Sequence, residues 1–354
     1  MGEENNVHCV QDGGSAPARI FKWDNIRALL IFFVVFGHIV THYTDFSSYY
    51  RSMYVFIYAF HMPFFIFVSG YFHKNVNIKN KVVFYLLTAV LLRFLLFTVH
   101  DLILGADGEL ELVSHEGIQW FMFAMAAFIA LTYFLHRYNK VFVLVIAVIF
   151  GCFAGYDPDI NDILVLSRII VFYPFYWAGY CLQDSAAFRR LALPQTRQTR
   201  IGFAAAGAAI LAVWAACCFL LPDLTYQLRP FLTGRNPFEP EFAQSFAGLL
   251  TRLLCYLISG LLCFSFILLV PDRKIPVVTM TGQRSLGIYF WHRALIYFLT
   301  EYGVIRAVYS GQYTLIAAVL LAAGIVLLFD LPFWQGILER MKRMIMSPGL
   351  YRSN

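Results

Sequence analysis

Arg27 and His38 stand eleven positions apart in the run Asp24-Asn25-Ile26-Arg27-Ala28-Leu29-Leu30-Ile31-Phe32-Phe33-Val34-Val35-Phe36-Gly37-His38. On a helix that separation is roughly 16 Å of rise. Eleven steps of about 100° return the side chain to nearly the same face. A guanidinium at the edge of an apolar segment and an imidazole deep inside it therefore share one stripe. Neutral imidazole is a suitable general base near pH 7. A guanidinium fork suits a phosphate, a carboxylate or a developing oxyanion.

Other ionisable groups fall inside apolar runs. His61 and His292 lie at a depth similar to that of His38 in two further segments. Arg93, Arg168, Arg252 and Arg293 are also placed within such segments. An arginine at the centre of a membrane helix costs about 2.5–3.5 kcal/mol on insertion scales. Such groups are expected to face a polar cavity, with Arg93, Arg168, Arg252 and His292 assigned to the substrate or the oxyanion. Trp120, Tyr173, Tyr176 and Trp291 are aromatics on which a sugar could stack.

The elements that position these residues must be membrane helices. The 354-residue chain is 60% hydrophobic and 14% charged, against about 25% charge in soluble domains. Its mean hydropathy is +0.66. Ten spans are expected, at 26–43, 53–72, 82–101, 118–136, 140–155, 163–183, 201–221, 244–270, 283–302 and 312–332. Backbone groups in lipid must be satisfied internally, so the fold class is all-α, a polytopic helix bundle. Pro63 is expected to kink the second span near His61, Ser69-Gly70 to allow close packing, and Ser285 to cap the ninth.

With the N-terminus cytoplasmic, eighteen basic residues fall on inner segments and four on outer loops. That asymmetry obeys the positive-inside rule and puts both termini in the cytoplasm. The net charge of +6 is thus a matter of topology, and no nucleic-acid partner is implied. Residues 1–20 read as a disordered polar tail without the order of a signal peptide. Residues 21–335 read as one membrane domain and 336–354 as a basic cytoplasmic tail. Asp101, Asp107, Glu109, Glu111 and Glu116 make one outer loop acidic, and Asp157, Asp159 and Asp162 the next. The long outer loop 222–243, with Arg229 and Arg235, is expected to form a lid or an acceptor-binding edge. The seven cysteines show no metal-binding spacing, and no metal is expected.

Four segments in order resemble the integral membrane acyltransferase family 3, and within it the fucose 4-O-acetylase group. They are Asp24, Arg27, Gly37 and His38; His61-Met62-Pro63-Phe64-Phe65 with Ser69-Gly70-Tyr71; Arg168 with Tyr173-Pro174-Phe175-Tyr176-Trp177-Ala178-Gly179-Tyr180; and Gly282, Ser285, Leu286, Tyr289 and His292. The resemblance implies O-acylation, usually O-acetylation, of a sugar hydroxyl, with cytoplasmic acetyl-CoA as co-substrate and no permanently bound cofactor. It implies a multi-pass protein of the cell membrane whose essential residues include His38 and Arg27, and Asp24 and His61 join the expected catalytic set. A branch of the family carries a pair of arginines in the third helix. Here Val90 replaces the first of them, so Arg93 inherits no donor role.

The residues support a mechanism in which acyl-CoA approaches from the basic inner face. Arg27, Lys22, Lys74 and Lys79 engage its phosphates, the thioester reaches toward His38, and a glycan or glycolipid hydroxyl accepts the acyl group. The rival reading is a transporter or flippase of a lipid-linked sugar or anionic metabolite. Inverted repeats and paired broken helices would favour it, and neither is evident in the sequence.

Overall fold

The structure is a computed structural model that describes residues 19–105, 117–160, 165–193, 196–235, 237–310 and 313–345. It is all-helical, with no strand among the described residues. The first helices are α1 (Phe21–Thr41), α2 (Ser48–Tyr58), α3 (His61–Tyr71), α4 (Ile78–Phe97), α5 (Trp120–Leu135), α6 (Lys140–Phe153) and α7 (Leu166–Leu182). Next come α8 (Ala186–Ala192), α9 (Arg197–Leu220), and the short α10 (Pro222–Tyr226), α11 (Arg229–Thr233) and α12 (Pro240–Ala243). The chain closes with α13 (Ala247–Leu269), α14 (Pro276–Gln283), α15 (Ser285–Glu301), α16 (Val304–Ser310), α17 (Thr314–Asp330) and α18 (Pro332–Ile345).

Each expected span is occupied by helix, but helix length supports fewer crossings than ten. Phe21–Thr41, Ser48–Tyr71, Ile78–Ile103, Arg197–Leu220 and Ala247–Leu269 are long and apolar enough to cross a membrane. α17 and α18, bent by 55° at their junction, add a sixth when counted as one. α5 and α6 have 16 and 14 residues, and α7 and α15 have 17 each. At 1.5 Å per residue these fall short of a hydrocarbon core of about 30 Å.

α1 lies at the centre of the bundle. It packs against α2, α3, α14, α15 and α17. Ile26, Leu30, Ile31, Val35, Ile39 and Val40 are fully buried. A helix apolar on nearly every side is what a bundle centre requires. The kink expected at Pro63 is present, and its position has a simple cause. The proline ring clashes with the carbonyl four residues back, and the helix breaks there, at Ala59 and Phe60. His61 thereby becomes the first residue of α3.

Glycines bring two helix pairs into backbone contact. A Cβ on Gly70 of α3 would collide with the carbonyl oxygen of Tyr176 in α7. A Cβ on Gly179 of α7 would collide with the carbonyl oxygen of Phe67 in α3. In the same way, Gly282 of α14 lies against the carbonyl of Asp24 in α1. His73, just beyond α3, bonds the Tyr176 hydroxyl at 2.8 Å and the Asn75 side-chain oxygen at 2.7 Å. Burial lowers the pKa of this imidazole below its usual value.

One expectation needs correction: Ser285 does not cap α15; Arg284 occupies the cap position, without a side-chain bond. Residues 222–243 contain the short helices α10, α11 and α12, and α18 carries helix to Ile345, into the segment read as a basic tail. Residues 1–18 of the expected disordered tail, together with Asp107, Glu109, Glu111, Glu116 and Asp162, lie outside the described residues. The described cysteines are unpaired and buried or half-buried.

Because backbone cannot yield, Gly70→Ala should cost about 1–3 kcal/mol by overpacking. Gly260→Ala is the control: nothing lies within 4 Å of its added methyl, and alanine favours the helix. Thermal unfolding in detergent should show a clear drop for the first and none for the second; equal behaviour would rule out tight α3–α7 contact.

Candidate active site

Where the second half of α1 meets the α2–α3 break, the structure encloses a cavity of about 240 Å³. α1 contributes Val34, His38, Thr41 and His42 to its wall; the broken helix contributes Tyr54, Tyr58, His61 and Met62. Trp120, Arg168 and Phe172 come from α5 and α7, and Tyr289 and Arg293 from α15. The connection after α9 supplies Arg229, Leu232, Thr233 and Arg235.

The histidines of this region are held differently. The His61 Nδ1 donates to the carbonyl of Ile57 at 2.9 Å, across the helix break. The His292 Nδ1 donates to the carbonyls of Tyr289 at 2.8 Å and Ile288 at 3.1 Å. A ring that donates through Nδ1 carries its lone pair on Nε2 when neutral. The His292 Nε2 is buried and has no hydrogen-bond partner among the described residues. The ring centroids of His38 and His292 are 5.4 Å apart. His38 makes no hydrogen bond among the described residues, and its half-buried ring borders the cavity. His42, one turn further on, also borders the cavity, and its buried Nε2 has no hydrogen-bond partner among the described residues. Of the three expected histidines, His38 is the one whose ring nitrogens are both left for a ligand.

Guanidinium groups surround these rings. Arg168, at 5% exposure, lies over Trp120 at 5.0 Å. Arg293 lies over Tyr297 at 4.7 Å. Arg229 donates to the Tyr226 hydroxyl at 3.1 Å and stacks over Tyr54 at 5.3 Å. His42, Tyr54 and Tyr58 were not singled out by sequence reasoning. His42 is one turn beyond His38, and that spacing was the available signal. Arg229 and Arg235 reach the cavity from the connection after α9.

Other expected site residues lie elsewhere. Arg252 is fully buried, but its Nη1 donates to the carbonyl of Phe231 at 2.5 Å and its guanidinium carbon lies 5.2 and 5.4 Å from the rings of Phe231 and Phe238. It anchors the connection carrying Arg229 and Arg235 and is not part of the cavity wall. Arg93 is half-buried on α4, away from that wall. Of the four aromatics, Trp120 alone lines the cavity among the described residues. Tyr173 and Tyr176 bond Thr132 and His73, and Trp291 packs on Trp334.

The start of α1 forms a separate polar cluster. Asp24, 2% exposed at its side chain, accepts from Arg27 at 2.6 Å, Arg19 at 2.8 Å and Gln283 at 3.2 Å. Arg27 is 32% exposed and lies 5.7 Å from the Phe72 ring, which brings the exposed Lys74 and Lys79 segment to this end. Lys22 does not join them. Its ammonium is buried and donates to the carbonyls of Ala192 at 2.5 Å and Ile267 at 2.6 Å. An ammonium committed to two internal carbonyls cannot meet a donor phosphate, so Lys22 is a structural lock. None of these residues borders the cavity, whose α1 wall begins at Val34.

A family model for an acyltransferase domain, acyltransferase 3, matches residues 20–331. The chain belongs to the acyltransferase 3 family. No curated protein and no solved structure matches it. The match covers both the Asp24–Arg27 cluster and the cavity. An acyltransferase of membrane-helix character is the activity this membership supports.

Lys22→Met should leave two buried carbonyls unsatisfied, at a cost of about 1–3 kcal/mol each. The expected outcome is a lower unfolding temperature with an unchanged KM for acyl-CoA. A raised KM at unchanged stability would return Lys22 to the donor site.

Proposed function

We propose that this protein is a multi-pass O-acyltransferase of the cell membrane that moves an acetyl group from cytoplasmic acyl-CoA to a sugar hydroxyl of a glycan or glycolipid. The observation that carries this reading is His38: an imidazole without a hydrogen bond among the described residues, bordering a polar cavity inside an acyltransferase 3 domain. The ten-span topology, the cytoplasmic termini and the likeness to the fucose 4-O-acetylase group belong to the same reading.

His38 takes the proton from the acceptor hydroxyl as its oxygen attacks the thioester carbonyl. The tetrahedral intermediate carries its negative charge on the former carbonyl oxygen. Arg293 or Arg168, both in the cavity wall, would stabilise that charge. Collapse breaks the carbon–sulfur bond and expels CoA as thiolate, which His38 reprotonates. The products are the sugar ester and free CoA. His61 and His292, with one nitrogen fixed by backbone, serve to orient His38 and the acceptor.

Arg27, Lys74 and Lys79 form the proposed site for the donor phosphates at the opposite end of α1. The pantetheine arm would then run along α1 toward His38. Ile31 and Val34 are packed across that path, at 0% and 2% exposure. Donor binding therefore requires these side chains to move aside.

The test is acyl transfer in inverted membrane vesicles given acetyl-labelled acetyl-CoA and a crude glycan pool. Loss of a general base typically costs about 10²–10⁴-fold, so His38→Ala should abolish labelling of the glycan fraction at equal expression. Substantial residual transfer would refute the role of His38. Absence of any transfer by the wild type from several acyl-CoA donors would refute the reaction.

A further inference from the structure

The cavity around His38 holds more positive charge than acyl transfer to a neutral sugar would use. Arg168, Arg229, Arg235 and Arg293 all line it, and no Asp or Glu is found among the described residues of its wall. Two of these guanidinium groups, Arg229 and Arg293, are set against aromatic rings, at Tyr54 and Tyr297. Stacking of this kind orients a planar cation and leaves its edge donors for a carboxylate or phosphate. The connection bearing Arg229 and Arg235 is itself fixed. Arg252 holds the carbonyl of Phe231, the Ser167 hydroxyl donates to the carbonyl of Gly234, and the Phe238 amide donates to Gly155 at 2.7 Å.

The reaction generates one oxyanion, for which one or two donors suffice. The donor's phosphates do not account for the rest. The pantetheine arm separates the thioester from the diphosphate by its full length, so phosphates cannot share a 240 Å³ cavity with a thioester at His38. Arg229 and Arg235 also lie at the end of α1 opposite Arg27, where the donor phosphates are placed.

Resting on the acyltransferase reading above, we infer that the acceptor is itself anionic. It carries a carboxylate or phosphate close to the hydroxyl that receives the acyl group, and Arg229 and Arg235 hold that group. These arginines bind and position the acceptor; His38 remains the group that moves the proton.

The test uses the purified full chain in lipid nanodiscs with acetyl-CoA and three probes. One is a uronic acid disaccharide, the second is the same disaccharide with its carboxylate reduced to a neutral alcohol, and the third is a polyprenyl diphosphate-linked sugar. At least one anionic probe should be acylated with kcat/KM tenfold or more above that of the neutral one, and which of the two prevails identifies the source of the charge. Salt should erode the preference, because the contacts are ionic. Arg229→Gln with Arg235→Gln should bring the ratio toward one, and Arg229→Lys with Arg235→Lys should restore part of it, which a merely misfolded variant would not do. Acylation of the neutral disaccharide as readily as both anionic probes would overturn the inference while leaving the acyltransferase reading standing. If no probe releases CoA, the acyltransferase reading fails on its own. The anion site is then judged by thermal stabilisation: a shift with either anionic probe that is lost in the double Gln variant supports it, and no shift with either overturns it.

Discussion

The carboxylate of Asp24 accepts hydrogen bonds from Arg19, Arg27 and Gln283 while its side chain is only 2% exposed. A buried carboxylate is costly unless its lone pairs are filled, and here the partners come from the start of the chain and from the end of α14. Lys22 works on the opposite side of the same turn through the carbonyls of Ala192 and Ile267. Asn25 adds donors to Pro271 and Arg273 and accepts from Thr279. Three neighbouring polar residues thus tie the first turns of α1 to segments roughly 170 to 260 positions away. The axial position of α1, and with it the placement of His38, depends on that anchorage.

From this fixed end α1 runs as an apolar rod into the bundle, and its two ends do different work. The first carries charge that is mostly satisfied internally, with Arg27 left partly exposed beside the Lys74 segment. The second carries His38 into a cavity built by five other parts of the chain. Packed Ile31 and Val34 separate the two. Among the described residues, buried apolar side chains there leave no polar path between the two ends.

Glycine contacts join the four motif segments in pairs. The segment at His61–Tyr71 and the segment at Tyr173–Tyr180 close on each other through Gly70 and Gly179. The Asp24 turn and the Gly282 turn close on each other in the same manner. These motifs are therefore partly packing instructions. Each pair sets the spacing of two helices at backbone distance, and side chains beyond the contact, His61 and Arg168 in one pair and His38 in the other, arrive in the cavity wall as a consequence.

The sequence by itself determined the solvent class, the helical content, the stripe joining Arg27 to His38, and the break before His61. All follow from local rules: apolar run length, a 100° step per residue, and the clash of a proline with the turn before it. It also gave His38, His61 and His292 similar positions along their segments, and the rings of His38 and His292 lie 5.4 Å apart. Which charges share a cavity was decided only by tertiary structure, because that depends on the rotation of each helix about its axis and on how a long connection folds back. Arg168 and Arg252 look alike as buried arginines in apolar runs. One turns into the cavity over Trp120, while the other spends its donors on the carbonyl of Phe231. Lys22 reads as a surface cation near Arg27, yet five steps of about 100° turn it about 140° away from Arg27 and bury it between α8 and α13. Arg229 and Arg235 could be assigned from sequence only to a loop that forms a lid or an acceptor-binding edge; the contacts of Arg252 with Phe231 and of Phe238 with Gly155 decide how that loop folds against the site.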